Sequence, residues 1–129
     1  MLVDLLDNLE WYRTLHPAMQ GIITIMDRSI PYNDEPGTYT VDGISYQVME
    51  YESVPSGVLD QAEGNQIHIL LEGEELLSLQ RGASVEVVTQ CTTGLFVMLR
   101  NGESFRHKQH RITQTKVKKV VFTLPDPVS

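Results

Sequence analysis

The chain has 129 residues, 41% hydrophobic and 21% charged, a size and composition suited to one soluble domain with its own core. Its net charge of −7 disfavours nucleic acid, and no apolar run approaches the roughly 18–20 residues that cross a bilayer. Acids occupy the N-terminal segment where a secretory signal carries positive charge, so a cytoplasmic location is expected, and a single cysteine, Cys91, excludes an intramolecular disulfide.

Residues 4–28 carry helical signals. Asp7 or Asn8 is placed to cap a short helix whose Leu9, Trp11, Tyr12 and Leu15 fall mostly on one side. Pro17 suits the first turn of a second helix, with Met19, Ile22, Ile23 and Met26 at 3/4 spacing and Gly21 weakening it. Residues 29–37, with two prolines and Asn33-Asp34, read as a connection. From Thr38 onward the period changes to two. Strands at 38–41 and 44–54 flank Asp42-Gly43, a pair whose tolerance of positive φ marks a hairpin. Tyr46, Val48 and Val54 fall on one face of the second strand, Met49 and Tyr51 on the other. After the turn Pro55-Ser56-Gly57, strands are expected at 66–71, 74–80, 84–90, 94–100, 103–106, 110–114 and 117–123. Many short strands with regular turns favour a mainly β, antiparallel barrel or sandwich with short N-terminal helices. Nothing divides the chain, and residues 1–129 read as a single domain.

The charge is uneven. Residues 1–99 hold Arg13, Arg28 and Arg81 against fifteen acids, whereas residues 100–129 hold seven Lys and Arg against Glu103 and Asp126. The stretch Arg100–Lys119 reads as solvated or paired with acidic neighbours rather than as a nucleic-acid face. Glu72, Glu74 and Glu75 bracket a turn and are expected in solvent. Val117–Leu124 reads as a long apolar β edge, which a homodimer would cover.

Pro36-Gly37, Asp42-Gly43, Tyr46, Tyr51-Glu52-Ser53, the run His68–Glu74 and the final strand VKKVVFTL follow one another in an order that resembles one family. It is the group of small proteins that includes the β subunit of evolved β-galactosidase and N-acetylneuraminate anomerase. The resemblance extends over most of the chain and rests on order and spacing, not on a single motif. It implies a cupin-like barrel, or double-stranded β-helix, and points again to a homodimer. It also implies an interior pocket that, in the family, holds a divalent metal through Glu-x-His and a later His. Counting back from Gly73, Leu59 and Gln61 stand where Glu and His are expected, Gly64 and Gln66 where Tyr and Asp often follow, and Phe105 where the later His is expected. Leucine, glutamine and phenylalanine cannot replace carboxylate and imidazole as ligands. No cofactor is therefore expected. The alternative is a divalent metal such as zinc on His68, Glu63 and His107, with Asp60 a second candidate acid. His107 and His110 lie in a polar, basic stretch and read as solvent-facing.

His68 is the pocket position that matches the family. It shares a strand face with Gln66, Leu70 and Glu72, and reads either as a hydrogen-bonded core residue or as a pocket group. In an anomerase or mutarotase, one group takes the proton of the anomeric hydroxyl while another donates to the ring oxygen. His68 with Glu50 is the candidate catalytic pair, Glu63 the other carboxylate considered, and Tyr46, Gln66 and Arg106 the candidate sugar-binding residues. The missing ligands favour a different reading, a carbohydrate-binding protein or accessory subunit of a glycosidase catalytic subunit. A non-enzymatic regulatory protein is the third. A small sugar is the expected ligand in the first two; neither nucleic acid nor membrane is an expected partner.

Overall fold

The computed structural model describes residues 1–52, 58–81, 84–108 and 116–125. The expected turn at 55–57, the expected strand at 110–114 and His110 lie outside the described residues. Among the described residues, ten strands form two antiparallel sheets: β1 (Leu2–Leu5), β2 (Gly37–Val41), β3 (Ile44–Glu52), β4 (Val58–Gln61), β5 (Asn65–Glu72), β6 (Glu75–Arg81), β7 (Ser84–Cys91), β8 (Leu95–Leu99), β9 (Ser104–Lys108) and β10 (Lys116–Leu124). The larger sheet runs β1-β8-β5-β10-β3-β2 and the smaller β4-β9-β6-β7. The expected mainly β class is what the chain adopts.

Local chemistry explains two of the turns between strands. Asp42 and Gly43 turn the β2–β3 hairpin at φ 50° and 80°, the positive values that an Asp-Gly pair tolerates. Gly73 turns β5 into β6 at φ 85°, where an added Cβ would lie 2.3 Å from the Lys116 carbonyl oxygen. Only glycine fits there.

The two faces of the larger sheet have different partners. On the outer face, Tyr46, Val48, Ile67, Ile69, Phe96, Val120 and Phe122 pack against an N-terminal layer that supplies Leu9, Met19, Ile22, Ile23 and Ile25. That layer contains the α-helix α1 (Met19–Asp27), which begins just after Pro17 as the 3/4 spacing predicts. The earlier expected helix is instead a 3₁₀ segment, Leu6–Tyr12, opening at Leu5 without a side-chain cap. Three residues per turn bury Leu9 but turn Trp11 outward, leaving it 77% exposed. On the inner face, Leu70, Val97, Leu99 and Val117 meet Leu77, Cys91 and Phe105 of the smaller sheet. This is the interior of the sandwich.

Two strand expectations change. Val117–Leu124 is no edge: β10 sits between β3 and β5, hydrogen-bonded on both sides, and its apolar character answers to burial on both faces. The argument for a dimer from that edge therefore has no basis. Residues 58–61 form β4, a strand missed because its edge position leaves Leu59, Asp60 and Gln61 exposed and erases the apolar alternation.

Candidate functional site

Cross-strand register decides which side chains meet, since directly paired residues point to the same face. Val121 of β10 pairs with His68 and with Gln47, while Phe122 pairs with Ile67 and with Tyr46. His68 therefore points into the sandwich, and Tyr46 and Glu50 point away from it. Tyr46 donates its hydroxyl to Asp34 Oδ2 at 2.6 Å beneath the N-terminal layer. Burial first, then Asp34, raises its pKa well above the usual tyrosine value. Glu50 lies 3.7 Å from Lys116 Nζ in an exposed ion pair. Arg106 belongs to the outer face of β9, between the inward Phe105 and His107, and its carbonyl accepts from Ser78 Oγ. Glu63 is exposed in the turn before β5. Of the sequence candidates, Gln66 alone is hydrogen-bonded to His68: His68 Nε2 donates to Gln66 Oε1 at 2.9 Å.

The family-aligned ligand positions also fall apart by face. Leu59 pairs with Arg106 and Gln61 with Ser104, both away from the interior, whereas Asp60 pairs with the inward Phe105. A one-residue slip exchanges the two faces. Phe105 is buried, with its ring edge-on to His68 at 5.4 Å.

What the interior contains instead is a polar cluster that the sequence reading placed in solvent. Glu75 is 1% exposed, Lys119 3% and His107 8%. Tyr51 donates its hydroxyl to Glu75 Oε1. Lys119 Nζ donates to Glu75 Oε2 at 3.4 Å, and His107 Nδ1 lies 3.8 Å from Glu75 Oε1. The Lys119 ammonium also sits 5.6 Å from the centre of the Tyr51 ring. The Glu75 carboxylate of β6 thus gathers a phenol, an imidazole and a cation contributed by β3, β9 and β10.

The electrostatics follow from burial. His68 is held well below its usual pKa, chiefly by desolvation and then by Lys119 and His107. His107 is lowered by burial and Lys119, with Glu75 and Asp60 opposing. Burial and then the Glu75 charge raise Tyr51 far above a normal phenol. Cys91, also facing this space, is pushed up to about 12, mainly by burial and next by Glu75. Two imidazoles biased toward the neutral form, a protonated phenol and a protonated thiol therefore surround one ion pair. Since Gln66 Oε1 only accepts, the hydrogen of His68 sits on Nε2 and leaves Nδ1 a buried acceptor without a partner.

The space left beside these groups is small. A cavity of about 10 Å³ lies among His68, Leu70, Glu75, Cys91 and Lys119. By contrast, a cleft of about 660 Å³ opens at the end of the sandwich, with Leu2, Leu15 and Met98 as apolar walls and Asn65, Gln66 and Arg100 as polar ones. His16 borders the cleft, but both its nitrogens are engaged: Nδ1 accepts from the Ala18 amide at 2.9 Å and Nε2 donates to the Pro125 carbonyl at 2.6 Å.

Comparison with solved structures identifies the class. Protein NMB1881 from Neisseria meningitidis is similar with a TM-score of 0.53 at 11% identity, over 77% of this chain and 95% of that one. HppE in its Fe(II) form with substrate gives 0.58 at 12% identity, over 70% of this chain and 53% of that one, so this chain spans about half its length. Hydroxypropylphosphonic acid epoxidase from S. wedmorenis, in complex with fosfomycin, gives 0.51 at 12% identity, over 70% of this chain and 56% of that one. These likenesses show the fold: a cupin-like antiparallel β sandwich of the jelly-roll type. No family model and no curated protein matches the sequence.

Iron is named in one of these solved structures. Among the described residues no three His, Cys, Asp or Glu side chains converge as ligands, and the buried carboxylate already faces an ammonium and a phenol. Among the described residues no helix is long and apolar enough to cross a membrane.

Proposed function

We propose that this chain is a cupin-like carbohydrate-binding or accessory protein that holds a small sugar in the end cleft and does no chemistry at His68. One contrast supports this reading. The space at His68, about 10 Å³, is that of a single water at most, whereas the cleft of about 660 Å³ falls within the range of small-molecule sites. A pyranose cannot reach the imidazole without dismantling the core around it. In the cleft, Arg100 and the amides of Asn65 and Gln66 offer hydrogen bonds to hydroxyls, while Leu2, Leu15 and Met98 suit the C–H face of a ring. Glu50 lies across the sheet from His68.

The test is an NMR titration with galactose, glucose and N-acetylneuraminate, together with anomer-exchange measurements on the same samples. The expected result is amide shifts centred on Asn65, Gln66 and Arg100, with Arg100→Ala weakening binding about tenfold, as loss of a charged hydrogen bond does. Anomer exchange should proceed at its uncatalysed rate. Binding of none of the three sugars would overturn the proposal. Acceleration of exchange that disappears in His68→Ala would replace it with the anomerase reading.

A further inference from the structure

In a chain of net charge −7, the end cleft has no carboxylate among its lining side chains, and the acceptor atoms on its polar wall are already engaged. Asn65 Oδ1 accepts from the Asn101 amide at 3.0 Å. Gln66 Oε1 accepts from His68 Nε2 at 2.9 Å, while its Nε2 lies 3.5 Å from the Glu63 carbonyl oxygen. A backbone N–H only donates and a carbonyl only accepts, so turning either amide over would set hydrogen against hydrogen or oxygen against oxygen. The amide nitrogens are therefore the groups with hydrogens to spare. Both nitrogens of His16 are taken up by the chain. Arg100 follows β8 directly, next to the pair formed by Leu99 and Gln66, and among the described residues its guanidinium has no partner. Glu103, three residues on, accepts from the Arg100 backbone amide at 2.6 Å and faces the N-terminal ammonium at 3.3 Å.

We propose that the cleft selects a sugar acid over the corresponding neutral sugar, with the ligand carboxylate received by the Arg100 guanidinium and the amide nitrogens of Asn65 and Gln66. This rests on the reading of the cleft as a sugar site and names the class of sugar it takes. An ionised carboxylate only accepts, has sites for several donors, and meets a guanidinium through two parallel N–H bonds. A neutral hydroxyl also accepts from one of these donors, but it brings a hydrogen of its own. For that hydrogen the polar side chains of the cleft keep no unengaged oxygen. Charge points the same way. Glu103 is matched by the N-terminal ammonium, which leaves the Arg100 charge for the ligand. One positive charge suits a carboxylate better than a phosphate monoester, which carries about −1.5 to −2. The apolar wall of Leu2, Leu15 and Met98 then covers the C–H face of the ring, as it would for a neutral sugar.

The proposal is tested by NMR titration of the full chain with matched pairs that differ only at C6: glucuronate against glucose, and galacturonate against galactose. Each acid should bind at least about tenfold tighter than its neutral counterpart, the effect of one charge-assisted hydrogen bond, with amide shifts at Asn65, Gln66 and Arg100. Arg100→Gln, a change at an exposed position that keeps a donor, should bring the acid-to-neutral ratio close to one. Gln66→Glu keeps an acceptor for His68 and adds a negative charge, and should drive that ratio below one. Equal affinity within each pair would overturn the proposal and leave the sugar reading of the cleft standing. Binding of neither member of either pair would overturn both. A ratio that persists in Arg100→Gln would show that the guanidinium does not receive the carboxylate. Glucose 6-phosphate binding more tightly than glucuronate would likewise overturn the choice of a carboxylate.

Discussion

The strongest quantitative claim concerns the Glu75–Lys119 pair, which a double-mutant cycle can isolate. Both side chains are nearly inaccessible, at 2% and 3% of their exposed area, so neither charge can be rescued by water if its partner is lost. Glu75→Gln retains an acceptor for the Tyr51 hydroxyl but leaves the ammonium uncompensated, a change that costs about 3–5 kcal/mol. Lys119→Met keeps the apolar stem and strands the carboxylate, with a cost of similar size. Removing both charges together should cost about 1 kcal/mol or less, because apolar or neutral replacements of a buried pair are commonly near neutral. The two single costs together should therefore exceed that of the double variant by at least about 5 kcal/mol, a coupling found only between groups in direct contact. Urea unfolding followed by far-ultraviolet circular dichroism is the assay. At a slope of about 2 kcal/mol per molar, each single variant loses roughly 2 M in midpoint while the double variant stays near the parent. Single variants costing less than about 1 kcal/mol, or a cycle that closes additively, would mean that water reaches the pair and that the interior is open.

The same interior sets the acid limit of the fold. His68 and His107 are both depressed below the ordinary 6.5, at which they protonate in the unfolded chain, so the folded state binds fewer protons below that pH. Stability is thus full above about pH 6.5 and falls as pH drops toward the lowered folded values, by up to about 1.4 kcal/mol per unit for each histidine. His68→Leu should flatten the slope between pH 6.5 and 5, and an unchanged slope would remove the burial argument. Gly43 and Gly73 have nearly equal φ, 80° and 85°, but an added Cβ meets nothing within 4 Å at the first and the Lys116 carbonyl at the second. Gly43→Ala should cost about 1–2 kcal/mol, the price of a left-handed alanine alone. Gly73→Ala should cost clearly more in thermal melts, and equal losses would show that the backbone gives way at Lys116.

How much of this was legible depends on whether a signal is local. The Asp42-Gly43 hairpin and the helix from Met19 were readable because turn chemistry and 3/4 spacing act within a few residues. The central place of β10 was not, since VKKVVFTL looks the same whether one neighbour or two will pair with it. For β4 the difficulty was the reverse, an edge strand too exposed to show a pattern. Counting spacings from Gly73 located Leu59 and Gln61 along the chain but could not say which face they take, and they take the outer one.

The buried polar cluster is the instructive miss, because its signal was present. In ELLSLQR, Glu75 shares a period-two face with Leu77 and Leu79; in SFRHK, His107 shares one with Phe105; in the last strand, Lys119 stands between Val117 and Val121; and in NQIHILLE, His68 falls in line with Leu70. Each polar residue taken alone invites the reading of a solvated turn, a basic stretch or a lone core histidine. Taken together, four strands each place a polar group on a face whose neighbours are apolar. Groups committed to one interior in that way must satisfy one another, since an unpaired buried charge costs a large share of a fold's marginal stability. Tyr51, on the inward face of β3, completes the set by giving Glu75 a second donor. The partners lie 24 to 44 residues apart along the chain, so no local motif could announce them. The alternation of each strand, read for its polar exceptions rather than its apolar majority, is what carries the information. It points to an interior held by charge pairing, with Gln66 the polar residue that links it to the cleft outside.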